Sequence, residues 1–180
     1  MKILILGSGQ VGSTIARNLA AMPNNDVTII DIDRESLKNI GSKLDVQTVV
    51  GNGASPAVLE HAGAGDADLL LALTRSDETN MVACKMAADL FNIPSRIARV
   101  RLSDYLEYHT GNEELPSSLD AFAVTDSICP EQLVTERLVG LLNYTSALQV
   151  LRFADDKARM VIVQAHKGGL LVNKEISEIN

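Results

Sequence analysis

The residues best suited to chemistry lie at the amino end. Gly7-Ser8-Gly9-Gln10-Val11-Gly12 follows directly on the apolar run Ile3–Leu6 and opens a stretch of helical period. Strand, glycine turn and helix in that order suit a pyrophosphate. Gly7 permits the tight turn, Gly9 lets the backbone approach the ligand, and Gly12 lets the helix pack close to the strand. The helix N-terminus beginning at Gln10 and Val11 supplies unpaired N–H groups and a partial positive charge for the phosphates. Asp31 ends the second apolar run about 20 residues downstream, where a carboxylate can accept both ribose hydroxyls. It would also repel a 2′-phosphate, favouring NAD(H) or another adenine nucleotide over NADP(H), although Arg34 weakens that exclusion. The plain alternative is a glycine turn with no nucleotide.

Further groups fall where later apolar runs end, the edge at which open α/β sheets bind ligands. Gly51-Asn52-Gly53 follows the third run and Thr74-Arg75-Ser76-Asp77 the fourth, and Arg99 lies in the fifth. Asn52 is placed to meet an adenosine, and Thr74 to lie beside the second half of a dinucleotide. Arg99 and Arg101 share a strand face by period two, and paired guanidinium groups suit phosphate. Loop capping by Asn52 and Thr74, and surface ion pairs by the arginines, are equally open readings.

Catalytic machinery is harder to find. Hydride transfer needs a proton donor or acceptor beside the nicotinamide. His61, His109 and His166 fall in a helix turn, a polar loop and a terminal strand, without an obvious partner. A tyrosine followed four residues later by lysine is missing, since Tyr105, Tyr108 and Tyr144 precede His109, Asn112 and Leu148 at that spacing. Cys84 lies on an apolar helix stripe and reads as core. A nucleotide site without a reaction site suggests a sensor. A small NAD-dependent dehydrogenase fragment and a structural dimerisation module are the rival readings.

The elements that must position these groups alternate strand with helix. Ile3–Leu6, Val27–Asp31, Gln47–Val50, Asp68–Leu73, Arg96–Arg101 and Asp120–Val124 read as strands, several of them apolar on both faces. Val11, Ile15, Leu19 and Met22 form one helical stripe, and Met81, Cys84, Ala88 and Phe91 another. Ser55-Pro56 reads as an N-cap with proline in the first helical position. The fold expected is α/β, a Rossmann-like doubly wound parallel sheet over residues 1–125. A helix from Pro130-Glu131 carries Leu133, Val134, Leu138, Leu141 and Leu142 on one apolar face, within a segment 126–145. Residues 146–180 then read as a hairpin, Ala147–Phe153 and Met160–Ala165, turned again at Gly168-Gly169. They are too few to bury a core alone and look like the opening of a small α+β domain that this chain cuts short.

Composition narrows the classes. Of 180 residues 46% are hydrophobic and 22% charged, which argues for a globular core. Sixteen Lys+Arg against 23 Asp+Glu leave a net charge of −7, and no segregated basic run is present to serve nucleic acid. The longest unbroken apolar stretch, Leu69–Leu73, is far below the ~20 residues of a membrane helix. The opening residues resemble no secretory signal. Two cysteines, Cys84 and Cys129, supply no disulfide framework and fit a reducing, cytosolic setting.

Five stretches together carry a family likeness: Gly7–Gly12, Asp31, Val50-Gly51-Asn52-Gly53, the run TRSDETNMVAC from Thr74 to Cys84, and Ile97–Arg101. With Ile128–Val134 and Ala147–Ala154, the sequence resembles the RCK/KTN regulatory domains of potassium channels and transporters along nearly its whole length. The acidic run after the fourth strand is the most specific part. The resemblance implies binding of NAD(H), ATP or ADP by Gly7–Val11, Asp31, Thr74, Arg75 and Arg99, with Arg101 as a candidate for an outer phosphate. It further implies dimerisation through the Rossmann-like domain with exchange of a crossover helix, here about Pro130–Asn143. A tetrameric ring in a longer, two-module protein would dock on a membrane potassium-translocating subunit of the TrkH-like kind, as a peripheral cytoplasmic component. In some relatives the position of Glu131 binds a divalent cation, though a glutamate in a first helical turn is also ordinary dipole chemistry.

Overall fold

The computed structural model describes residues 1–107, 117–143, 147–153, 157–166 and 172. His109, Tyr108, Tyr144 and the Gly168-Gly169 turn lie outside the described residues. The chain divides into two compact units, Met1–Cys129 and Pro130–Asn180.

In the first unit six strands form one parallel sheet. They are β1 (Lys2–Leu6), β2 (Asp26–Asp31), β3 (Gln47–Val50), β4 (Leu69–Ala72), β5 (Ser95–Arg99) and β6 (Asp126–Ile128), in the order β3-β2-β1-β4-β5-β6. This is the doubly wound order in which chain direction across the sheet reverses between β1 and β4. Register is continuous: Val49, Ile30, Leu6, Ala72, Ala98 and Ser127 lie side by side. The chain therefore leaves most strands at one common level, and the loops that follow them share one edge.

Strand alternation builds two cores. Ile3, Ile5, Val27, Ile29, Leu71 and Leu73 pack with α1 (Gln10–Ala20) and α2 (Arg34–Gly41). Leu4, Leu6, Ile30, Leu70 and Ala72 pack with α3 (Pro56–His61) and α4 (Asp77–Phe91). Both faces of β1 are buried, which is why its sequence is an unbroken apolar run. Val11, Ile15 and Leu19 face the first core as the stripe requires, but Met22 lies past the helix end and is exposed. Pro56 takes the first turn of α3, whereas the Ser55 side chain makes no capping bond.

Two expected strands are corrected. Residues 120–124 are not a strand: Ser117 Oγ accepts from Asp120 N at 3.1 Å and caps α6 (Ser118–Ala121). A short polar cap competes successfully with the strand preference of a brief apolar run. Ala123 then turns the chain at φ 56, and Thr125 pairs with Arg96, its N donating to Arg96 O at 2.9 Å. The sixth strand begins only at Asp126, so the sheet unit extends to Cys129. The fifth strand stops at Arg99, because the amides of Arg101 and Leu102 turn to the Asp77 carboxylate. Arg99 and Arg101 therefore do not share a strand face. A short helix, α5 (Ser103–Glu107), follows.

In the second unit α7 (Pro130–Asn143) leads to an antiparallel pair, β7 (Ala147–Phe153) and β8 (Ala158–Val163). The second strand starts earlier than Met160 and ends before Ala165. Leu133, Val134, Leu138 and Leu142 of α7 are exposed.

The glycine turn has a strict steric origin. A Cβ on Gly12 would lie 1.9 Å from the Gly7 carbonyl oxygen, and Gly7 itself has φ 99 with its own Cβ position 2.9 Å from Leu73 O. Backbone atoms held by a sheet cannot yield as a side-chain tip can. Gly12→Ala is expected to lower stability by about 2–3 kcal/mol, read as a lowered urea midpoint; an unchanged midpoint would contradict this packing.

Candidate nucleotide-binding edge

The turn after β1 leaves the start of α1 open. Gly9 occupies the N-cap position, no side chain caps the helix, and its first turn holds no acidic residue. The amides of Gln10, Val11 and Gly12 belong to the set that no intrahelical carbonyl can reach. Gly9 is exposed, and a Cβ there would meet nothing within 4 Å. Two other helices at this edge are closed by their own residues. Asp33 accepts from Glu35 N and Ser36 N at α2, and Ser76 Oγ accepts from Thr79 N at α4. The α1 terminus has the partial positive charge and the space for an anionic group.

Asp31 closes β2 beside this turn. Its Oδ2 accepts from Ser8 N at 2.5 Å and Ser8 Oγ at 2.7 Å, and its Oδ1 accepts from Asp33 N at 2.9 Å. Ser8 Oγ also stands 2.7 Å from Ser36 Oγ. Burial pushes the Asp31 carboxyl upward, but the hydrogen bonds from Asp33, Ser8 and Ile32 outweigh it and hold the group below the ordinary carboxylate range. The carboxylate is thus ionised and fixed in orientation, with acceptor capacity remaining on Oδ1.

On the β4 side, three expected site residues are engaged with the chain itself. Asp77, 6% exposed, accepts from Arg101 N at 2.8 Å and Leu102 N at 2.9 Å through Oδ2. Arg101 Nε donates to its Oδ1 at 3.3 Å, and the Arg101 guanidinium also donates to the Arg75 carbonyl. Burial raises the Asp77 carboxyl, and these bonds together with the Arg101 charge bring it below the ordinary range. Thr74 N and Oγ1 both donate to Asn80 Oδ1, at 2.9 and 2.7 Å. Asn80 Nδ2 donates to Thr74 O at 3.3 Å and to Arg99 O at 2.8 Å.

The remaining expectations are placed as follows. Ser8, Gly9, Gln10, Val11 and Asp31 come together at the β1–β2 edge, with Gly7 and Gly12 beneath them. Arg34 is exposed at the start of α2, Arg75 is exposed in the loop after β4, and Arg99 is half-buried at the end of β5. Asn52 Oδ1 accepts from Ala54 N at 3.0 Å, the loop-capping alternative, and Gly53 packs where a Cβ would lie 2.8 Å from Leu6. His61 and His166 are exposed. Cys84 is fully buried and its thiol is pushed up to about 12 by that burial, as a core residue should be. Glu131 is exposed in the first turn of α7, and among the described residues no three His, Cys, Asp or Glu side chains converge to hold a metal.

Sequence reading missed Asn80 and Ser36. Asn80 is 0% exposed, yet it falls at the helical spacing of Asp77, Met81 and Cys84, all buried on α4. An amide on a face otherwise bound for the core was the available signal, because such a group must find partners. Ser36 carried no comparable signal, since its partner Ser8 is brought near only by the β1–β2 pairing.

Comparison with known proteins follows the same lines. A family model described as the TrkA-N domain matches residues 3–113. The chain belongs to this family. It is 45% identical over 179 residues to the Trk system potassium uptake protein TrkA of Vibrio alginolyticus, covering 99% of this chain and 38% of that protein. Against the protein of the same description from Haemophilus influenzae it is 46% identical over 180 residues, covering 98% and 38%. The chain thus spans well under half the length of these relatives. Among solved structures, the TrkA-N domain of the Escherichia coli inner membrane protein ybaL superposes with a TM-score of 0.66 at 18% identity, covering 78% of this chain and 96% of that one. The GsuK channel bound to NAD gives 0.64 at 18%, covering 86% and 25%, and GsuK bound to ADP gives 0.62 at 18%, covering 81% and 35%. At these identities the likeness is one of fold, and it agrees with the strand order of the sheet. Potassium transport and a Rossmann-like domain of the nucleotide-binding type are therefore the family setting of this chain.

Two expectations follow from the buried polar groups. Asn80→Ala strands the Thr74 amide and should lower stability by about 2–3 kcal/mol, measured by urea unfolding. Asp31 and Asp77 have depressed folded pKa values, so their stabilisation is complete at neutral pH. It is lost as pH falls from about 4 downward through the folded values. Urea midpoints should be level from neutral pH to about 5 and drop below about 4, and the drop should be shallower in Asp77→Asn.

Proposed function

We propose that this chain is a nucleotide-sensing regulatory module of a bacterial potassium uptake system, binding NAD(H), ATP or ADP at the β1–β2 edge. The observation that carries the reading is the uncapped α1 terminus behind the open Gly9 position, set beside the ionised Asp31 carboxylate. Phosphate oxygens suit the amides of Gln10, Val11 and Gly12, and ribose hydroxyls suit Asp31. Thr74, Arg75 and Arg99 lie along the same edge toward a second phosphate or nucleoside. The naming of the curated relatives as potassium uptake proteins, and the NAD and ADP bound to GsuK, support the ligand class and the transport setting.

In this reading the module dimerises, joins a tetrameric ring in the full-length protein, and acts from the cytoplasmic face on a TrkH-like membrane subunit. No helix among the described residues is long and apolar enough to cross a membrane. A nucleotide regulates only by binding one shape of the assembly better than another. A tenfold preference biases the equilibrium by about 1.4 kcal/mol, and equal affinity biases nothing. The role is binding without chemical conversion.

Calorimetric titration with NADH, NAD, ATP and ADP in turn tests the reading. Saturable binding is expected for at least one, and NADH should remain unoxidised when incubated with small hydroxy and keto acids. Gly9→Ala supplies the structural control. Its Cβ meets no protein atom, so the unfolding midpoint should stay unchanged while nucleotide affinity falls at least about tenfold. Full affinity in Gly9→Ala would place the ligand elsewhere.

A further inference from the structure

The Ser8 hydroxyl holds an acceptor position on Asp31 that a ribose would need. Asp31 Oδ2 takes two donors, the Ser8 amide and the Ser8 hydroxyl, whereas Oδ1 takes the Asp33 amide. The amide cannot leave, because it is fixed by the glycine turn. The hydroxyl is a rotor. Ser36 Oγ stands 2.7 Å from Ser8 Oγ, so the Ser8 hydroxyl has a second acceptor within reach and can swing from Asp31 to Ser36. The Ser36 hydroxyl in turn has the Ser8 carbonyl at 3.4 Å as its acceptor. Both serines line a cleft of about 160 Å³ between α1 and α2, which leaves the pair room to reorient.

We infer that Ser8 is a selectivity-setting residue, whose hydroxyl stands in for a ribose hydroxyl on Asp31 in the empty site and is handed to Ser36 when a ribose docks. The inference rests on the nucleotide reading above and deepens it. In the empty state Ser8 donates to Asp31. In the occupied state the ribose donates to Asp31, Ser8 donates to Ser36, and Ser36 donates to the Ser8 carbonyl. Every hydroxyl has an acceptor in both states, so the exchange leaves no buried donor stranded. Ribose binding is thereby weakened by the bond it replaces, and a ligand without ribose hydroxyls does not meet this competition. Ser8 acts as a positioning residue, through the carboxylate.

The test is calorimetric titration of the chain, Ser8→Ala and Ser36→Ala with ADP and with 2′,3′-dideoxy-ADP. Ser8→Ala is expected to bind ADP about three- to tenfold more tightly, with no gain for the dideoxy nucleotide. Ser36→Ala lacks the receiving oxygen and is expected to bind ADP about threefold less tightly, again without change for the dideoxy nucleotide. Opposite signs in the two variants, confined to the ligand with a diol, cannot come from a general loosening of the fold. Unfolding midpoints of both variants confirm that each is folded. Unchanged or weaker ADP binding by a folded Ser8→Ala, or an equal gain for both nucleotides, overturns the inference while leaving the nucleotide reading intact. If Ser8→Ala does not fold, unchanged ADP affinity in Ser36→Ala overturns it. Absence of binding of either nucleotide to the unmutated chain would instead defeat the nucleotide reading, and this inference with it.

Discussion

The near-contact of Gly12 with the Gly7 carbonyl governs the rest of the carboxyl edge. With no side chain between them, α1 begins directly over the end of β1, and its amides open onto the same level as Asp31. Any wider spacing would tilt the helix away and separate the dipole end from the carboxylate. Because β1 lies centrally in the sheet, between β2 and β4, the turn is braced on both sides: Gly7 N donates to Ile30 O and Leu73 N donates to Leu6 O, each at 2.8 Å. A rigid frame of this kind gives a binding edge its orientation before any ligand arrives.

The edge is divided between groups committed to the fold and groups left available. Asp77, Asn80, Thr74 and Arg101 tie the loop after β4 to the chain leaving β5, each through hydrogen bonds to the chain itself. That belt ties together two loops that the sheet ladder alone would leave loose. The opposite half is open. A Cβ at Gly9 would meet nothing within 4 Å, and the α1 terminus has no side-chain cap. An anion arriving there meets preoriented donors, whereas Thr74 and Arg101 in the β4–β5 half would have to break bonds to receive one. The asymmetry favours phosphate recognition at β1 and a framework role for the acidic run after β4.

Legibility in the sequence followed the range of the interactions. The β1 turn, the acid ending β2, the alternation of strand and helix and the stripe on α4 all rest on neighbours within a few residues, and all were readable. The strand expected at Asp120–Val124 failed because Ser117 offers a nearby cap, and the β5 boundary failed because Asp77, far upstream, takes two amides that would otherwise extend the ladder. Asn52 and Thr74 could not be assigned between ligand and cap from spacing alone. In the fold both make internal bonds, with Asn52 closing its own turn and Thr74 held by Asn80.

By itself, then, the sequence determined the fold class, the position of the glycine turn and the family to which the chain belongs, because periodicity and turn chemistry are local properties. Only the tertiary structure decided which polar side chains remain free to meet a ligand. Ser8 with Asp31, Asp77 with Leu102 and Asn80 with Arg99 are paired by strand order, and a hydrogen bond formed between distant segments removes from solvent an acceptor that looks available when residues are read in line.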